Sequence, residues 1–188
     1  DAQESRGLGD VYKRQDPLLE GFLKKITIDG DSITGGDTVY NGSEQNAGLS
    51  GLADGILVGS KKNAGDYDLN DLLYSGQDGY DIEIVNDGTK FIINKEQLTV
   101  TADGFEIDAN SVLPDFTGSI SGLVGGERWE DLGVELDSDL HFTTDADGKT
   151  AGKFAINGSL DKTLANYEIK QADSNAAAPV SYTHLRAH

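Results

Sequence analysis

The sequence contains no cysteine and no methionine, and it has only three prolines and one tryptophan. Without cysteine, the chain cannot form disulfide bridges, cysteine-based zinc sites or a thiolate nucleophile. The missing methionine, initiator included, predicts that the chain is an internal fragment of a longer protein. Because no run of about 20 apolar residues exists, the sequence predicts no membrane insertion in this segment.

Basic residues are scarce relative to acidic ones. The chain has 33 acidic residues against 15 basic ones, which gives a formal charge of −18. Such a surface repels the phosphates of nucleic acids and anionic lipid head groups, so we expect neither as a partner. The charge suits a soluble extracellular polymer, although many ordinary soluble proteins are also acidic.

Strand patterns dominate what is present. Apolar residues alternate with polar ones, or β-branched residues cluster, in five segments: 26–28, 80–85, 91–93, 98–101 and 153–156. Six Asp-Gly and two Asn-Gly steps punctuate the chain, and such pairs favour tight turns. The clearest hairpin is predicted at residues 86–89. Short helical turns are expected at 127–132, where Gly133 stops the turn, and at 68–74. Residues 18–25 form either a third helical turn or the last strand of a truncated preceding module. The sequence therefore predicts an all-β chain.

One short motif occurs twice, at residues 63–69 and 150–156. In both copies Ala-Gly is followed by a polar residue and then an aromatic one. Repetition in a fixed order is typical of tandem modules. We therefore expect two small β-sandwich modules, immunoglobulin-like or β-grasp-like, with disordered termini. The predicted division is an artefact tail with a remnant of a preceding module at 1–25, a first module at 26–95, a second module at 98–171, and a disordered or artefact tail at 172–188. The joint at 94–97 is too short to act as a flexible linker.

Both ends of the chain differ from its middle. Residues 5–15 and 179–188 contain two of the three histidines and resemble translated read-through of sequencing adapters. We expect these stretches to be artefacts, or ordinary disordered termini, and exclude them from the fold prediction.

Several short segments occur in a fixed order along the chain. In the first half they are residues 37–45, the Asn-Ala-Gly-Asp-Tyr phrase at 63–67 and residues 91–95, and in the second half they are 98–103, 114–126 and 165–169. Together they resemble MBG-type repeats, which form tandem arrays in bacterial surface proteins, including filamentous-haemagglutinin-like adhesins and cell-wall proteins. The second half departs from the pattern at Ile107-Asp108, where Tyr-Gly is usual. The resemblance implies a non-catalytic extracellular spacer or stalk, with neighbouring repeats as partners and no cofactor. The alternative is a carbohydrate- or protein-binding module accessory to a secreted enzyme.

The candidate metal ligands are Asp145 and Asp147. Two carboxylates one residue apart before a glycine are typical of loops that bind calcium, with residues 29–31 as a weaker case. The twelfth position of an EF-hand loop would be Ile156 rather than glutamate, so a solvated turn is the alternative. His141 could serve as a base with Asp139 on the same strand face, but no activated serine motif accompanies them, and a surface histidine is the simpler interpretation.

The aromatic residues are expected to lie in the cores of the modules. Tyr67 and Phe154 occupy equivalent places in the repeated phrase, as do Tyr80 and Tyr167 in the strands that follow. Equivalent aromatics in each copy favour packing over a carbohydrate-stacking platform. Trp129 lies in a charged segment, and the sequence leaves open whether it covers the core or contacts a ligand.

Overall fold

The computed structural model describes residues 24–49, 59–72, 80–108, 112–149, 153–177 and 180–183. Across these residues the chain is mostly β, with small sheets and a few single-turn helices, as the all-β prediction expects. The strands are β1 (Lys24–Ile28), β2 (Thr38–Val39), β3 (Gly65–Tyr67), β4 (Tyr80–Ile84), β5 (Phe91–Asn94), β6 (Glu96–Ala102), β7 (Phe105–Asp108), β8 (Gly118–Ser121), β9 (Leu140–Thr144), β10 (Ile156–Leu160), β11 (Tyr167–Gln171) and β12 (Val180–Thr183). The α-helical turns are α1 (Leu69–Leu72) and α2 (Leu136–Asp139), and 3-10 turns span Gly30–Ser32, Glu130–Leu132 and Asp173–Ala177.

The described chain divides into two compact units whose segments alternate along the sequence. The first unit contains the described residues of 24–36, 45–61 and 66–91. The second contains 37–44, 62–65 and the described residues from 92 onward. These units do not coincide with the modules predicted at 26–95 and 98–171, and the tandem arrangement of two sandwiches stays a prediction.

The core of the first unit forms around a parallel pair of strands. β1 pairs with β4 in register from Lys24 opposite Tyr80 to Ile28 opposite Ile84. Ile26 and Ile28 alternate with exposed residues along β1, and their side chains pack with Leu69 of α1 in a buried cluster. A strand whose alternate residues are apolar buries one face in this way.

The prediction of a hairpin at residues 86–89 is wrong. β4 pairs with β1, and β5 pairs in parallel with β2, so the two strands that the turn would join do not pair with each other. Gly88 does have a positive φ of 91°, so the Asp-Gly step makes a turn. A turn sequence reports local backbone geometry and does not determine which strands pair after it.

The second unit contains a three-stranded sheet with β6 at its centre. β11 pairs with β6 in parallel, and β8 pairs with its other edge in antiparallel fashion, with Ile120 opposite Val100. Leu98, Val100 and Ala102 are all buried, which confirms the strand predicted from their alternation.

The C-terminal end of this sheet extends beyond the predicted module boundary at residue 171. Ala172 N donates to Val100 O, and the buried Asn175 then bonds the same strand: its Oδ1 accepts from Ala102 N at 2.8 Å and its Nδ2 donates to Val100 O at 2.9 Å. Asn175 therefore supplies hydrogen bonds to the backbone of β6 at the point where β11 ends. Residues 173–177, which the sequence prediction placed in a disordered or artefact tail, form a 3-10 turn, and β12 pairs with β7.

The repeated Ala-Gly phrase does not form the same strand in both copies. In the first copy Gly65–Tyr67 is a strand, whereas in the second the strand begins at Ile156, so the prediction of a strand over 153–155 is wrong. β10 pairs with β9 in an antiparallel ladder. Phe154 precedes this ladder and packs against the cluster of Ala102, Ala146 and Ile156.

None of the helices in the described ranges is long and apolar enough to cross a membrane.

Candidate functional site

A carboxylate lies between two buried tyrosines in the second unit. Glu127 accepts hydrogen bonds from the hydroxyl of Tyr40 and, at 2.6 Å, from the hydroxyl of Tyr167. The two rings meet edge to face with centroids 5.4 Å apart, and their exposed fractions are only 1% and 3%. We call these three residues the tyrosine–carboxylate cluster. Both oxygens of the carboxylate are satisfied by charge-assisted bonds, which are stronger than bonds between neutral groups.

Backbone bonds fix each member of the cluster. Tyr40 follows β2 and its N donates to Asn94 O at 2.8 Å, while Tyr167 opens β11. The Tyr167 hydroxyl also accepts from Val124 N at 3.2 Å, in the loop that leads to Glu127. Sequence periodicity gave no signal for this cluster, because Tyr40 and Glu127 are 87 residues apart.

Two glycines allow the backbone beside the cluster to approach closely. Gly42 and Gly125 have positive φ angles of 78° and 65°. A Cβ atom added at Gly42 would lie 2.7 Å from the Cα atom of Gly125, and one added at Gly125 would lie 2.8 Å from the Cα atom of Gly42. Only glycine adopts this conformation at so short a distance without strain.

The cluster shifts the pKa of all three side chains. Burial, reinforced by the hydrogen bond and charge of Glu127, raises the pKa of Tyr40 to about 12 and that of Tyr167 to about 12. Burial acts to raise the pKa of Glu127, but the bonds from Tyr167 and Tyr40 and the charge of Lys62 outweigh it and lower the pKa. The cluster is therefore stable as one carboxylate between two neutral phenols.

A second contact joins residues 62–65 to the same region. Asn166 Oδ1 accepts from Ala64 N at 2.9 Å, and its Nδ2 donates to Asn63 Oδ1 at 3.2 Å. Asn166 directly precedes Tyr167, the first residue of β11. The segment 62–65 therefore bonds the start of β11, and the segment 37–44 bonds Glu127 through Tyr40.

A cleft of about 430 Å³ lies beside Trp129. Its apolar lining is Trp129, Val134 and Leu136, and its polar lining is three carboxylates and a hydroxyl, from Glu130, Glu135, Asp137 and Ser138. We call it the Trp129 cleft. Trp129 is half-buried. This degree of burial is compatible with both interpretations that the sequence left open, namely that Trp129 covers the core or that it contacts a ligand.

Short turns shape this cleft. Trp129 O accepts from Leu132 N at 3.1 Å and from Val134 N at 2.9 Å, and Gly133 between them has a φ of 68°. This confirms the turn predicted at 127–132 and its stop at Gly133. The buried Val134 then leads into α2, whose residues Leu136 and Asp137 also line the cleft.

A second cleft of about 450 Å³ shares Leu136 and Asp137 with the first. Its other lining residues are partly apolar, namely Phe116, Ile120, Leu140 and Phe142, and partly polar or small, namely Thr117, Gly118 and Ser119. We call it the Phe142 cleft. Because the two clefts share a wall, side chains a few residues apart on one ligand could occupy both.

His141 contacts an aspartate other than the predicted one. Its Nε2 lies 3.0 Å from Asp161 Oδ2, and both side chains are about half exposed. Asp139 belongs to α2 and its Oδ2 accepts from Glu135 N at 2.8 Å. The prediction that Asp139 and His141 share a strand face is wrong, because the strand begins at Leu140.

Asp145 and Asp147 are exposed residues that follow β9. Asp147 Oδ1 accepts from Lys149 N at 2.8 Å, and Gly148 has a φ of 72°, as in a tight turn. Among the residues that the structure describes, no group of three or more histidine or acidic side chains could hold a metal ion. The calcium site stays a prediction.

The region containing Glu127, Trp129 and Tyr167 corresponds to a known family. Residues 98–176 match the family model described as MBG domain (YGX type). The chain contains an MBG domain. The Ile107-Asp108 departure from Tyr-Gly therefore does not separate it from that type. No curated protein and no solved structure matches the chain.

The MBG domain accounts for part of the second unit. β6, β8 and β11 of the central sheet, both clefts and Asn175 lie within it, whereas Tyr40 and residues 62–65 lie upstream. The match ends at residue 176, in agreement with the place of Asn175 in the sheet. A first module at 26–95 stays a prediction.

Proposed function

We propose that this chain is a non-catalytic spacer, or stalk, segment of an extracellular bacterial surface adhesin. The MBG domain at 98–176 carries the proposal, because it suggests a repeat module of a surface protein. The charge of −18 supports it, since a strongly acidic surface keeps exposed modules soluble and apart. The partners would be neighbouring repeats of the same protein, with a host or cell-surface ligand at another part of it.

The contacts made by the upstream segments also support this role. A spacer needs modules whose connections do not swing freely. Tyr40 and Asn63 bond side chains of the MBG domain directly, through Glu127 and Asn166. The chain that enters the domain is therefore held by side-chain bonds as well as by the peptide connection at 94–97.

The test is the complete gene together with the location of its product. We expect further MBG domains and a secretion signal in the same reading frame. An antibody against residues 98–176 should label intact cells and lose its signal after external protease treatment. An antibody against a cytoplasmic protein is the control for lysis. A gene with a single MBG domain beside a catalytic domain, or a product that external protease does not reach, would contradict the proposal.

A further inference from the structure

We propose that the Trp129 cleft binds an arginine side chain from an extended basic segment of a partner protein. This adds a binding activity to the proposed spacer and does not depend on it, because the argument uses only the lining of the cleft. The neighbouring Phe142 cleft would take an apolar side chain of the same segment.

The volume and lining of the cleft suit a long side chain with a flat cationic end. About 430 Å³ is in the range of pockets that enclose a small group. Trp129 is the only tryptophan of the chain, and tryptophan is the best aromatic partner for a cation. Leu136, which is half-buried, offers apolar surface to the methylene groups of arginine.

The charge of the lining selects a cation. Glu130, Glu135 and Asp137 contribute three carboxylates. Within the described ranges, no lysine or arginine lies within ion-pair distance of any of the three. A cationic ligand would therefore gain partners without displacing an internal one. Charge complementarity of this kind also raises the rate of association.

Hydrogen-bonding capacity favours a guanidinium over a sugar. Ionised carboxylates only accept hydrogen bonds, and arginine has five donors and no acceptor. Sugar hydroxyls both donate and accept hydrogen bonds. Among the side chains that line the cleft, only the Ser138 hydroxyl and the Trp129 indole could donate to them. Arginine also stacks on aromatic rings and pairs with carboxylates through two bonds, which lysine cannot do.

The shared wall predicts the spacing of the ligand. Leu136 and Asp137 border both clefts, so an apolar side chain in the Phe142 cleft lies close to an arginine in the first. In an extended peptide, residues i and i+2 point to the same side about 7 Å apart. We therefore expect the sequence Arg-x-Leu, or Arg-x-Phe, to bind better than arginine alone.

The experiment uses the full chain and the fluorescence of Trp129. The probe is the acetylated and amidated peptide Gly-Arg-Gly-Leu-Gly, and the matched peptide carries citrulline, which is uncharged, in place of arginine. We expect a saturable change with the arginine peptide at low salt, and binding weaker by roughly tenfold for citrulline, as loss of a cation–π contact and its ion pairs requires. Raising the salt concentration should weaken binding of the arginine peptide only.

Two triple variants distinguish binding in the cleft from attraction to the overall negative charge of the protein. The triple change E130Q, E135Q and D137N should abolish the saturable signal. The control triple D31N, D37N and E83Q removes the same charge at exposed positions that line neither cleft, and should retain binding. Circular dichroism checks that both proteins are folded, and W129F, followed by calorimetry, should weaken binding while keeping the fold.

Three results would overturn the proposal. The first is the absence of a saturable change at roughly millimolar peptide. The second is equal binding of the arginine and citrulline peptides, or equal loss in both triple variants, which would show non-specific attraction. The third is a saturable response of Trp129 to neutral oligosaccharides such as cellohexaose or chitohexaose but not to the arginine peptide, which would assign the cleft to carbohydrate.

Discussion

The tyrosine–carboxylate cluster predicts that Tyr40→Phe destabilises the second unit although it removes a single oxygen atom. Glu127 would lose one of its two hydroxyl donors, while the buried ring would keep its edge-to-face contact with Tyr167. A hydrogen bond to a charged group contributes about 1.5–3 kcal/mol, so we expect the free energy of unfolding to fall by about that amount. This is a large share of the stability of a domain of this size.

Urea denaturation followed by the fluorescence of Trp129 measures the change, because Trp129 belongs to the same unit. Ser121→Ala is the control, because it removes an exposed hydroxyl from β8 of the same unit, and we expect a change below about 0.5 kcal/mol. In a double-mutant cycle with Glu127→Gln, the two changes should couple by about 1 kcal/mol or more. Additive effects, or a Tyr40→Phe variant as stable as the parent, would refute the reasoning.

Three further predictions concern the same unit. Gly125→Ala should destabilise the second unit by more than Gly126→Ala does. Both glycines have a positive φ, but only at Gly125 would an added Cβ atom contact Gly42. The difference between the two variants in urea denaturation therefore measures the effect of that contact. Asn175→Ala should cost about 1–3 kcal/mol by leaving Ala102 N without its acceptor, whereas Ser174→Ala, exposed on the same turn, should cost little in thermal unfolding; equal losses would assign the effect to the turn itself. In a pH titration of stability, the contribution of Glu127, whose pKa is lowered by folding, should be present above its unfolded pKa and lost as the pH falls through its folded pKa. The contribution of the tyrosines, whose pKa is raised to about 12, should be complete below the ordinary tyrosine pKa of 10.0 and lost as the pH rises toward 12, and a Tyr167→Phe variant should show a smaller alkaline loss.

Local patterns in the sequence predicted local structure well. The alternation of Leu98, Val100 and Ala102 identified β6, and the Gly133 stop identified the turn after Trp129. Each of these features depends on neighbours within a few residues, which is the range over which side-chain periodicity carries information.

Pairing across the chain could not be predicted in the same way. The parallel pairs β1–β4 and β6–β11 join strands far apart in sequence, and alternation does not specify a partner. Asn175 lies in a stretch of alanine, serine and asparagine whose composition resembles a linker, yet its amide completes the hydrogen bonding of β6. The cluster around Glu127 needs a tyrosine from a segment that the sequence assigned to another module.

The position of Tyr40 has a consequence for where the folded unit begins. The stretch of sequence that the family model recognises starts at residue 98, but the packed unit also takes in residues 37–44 and 62–65. The stretch that the family model matches and the unit that packs together therefore have different boundaries along the chain. A fragment cut at the family boundaries would lack Tyr40, so Glu127 would lose a hydroxyl donor and Tyr167 would lose its edge-to-face ring contact.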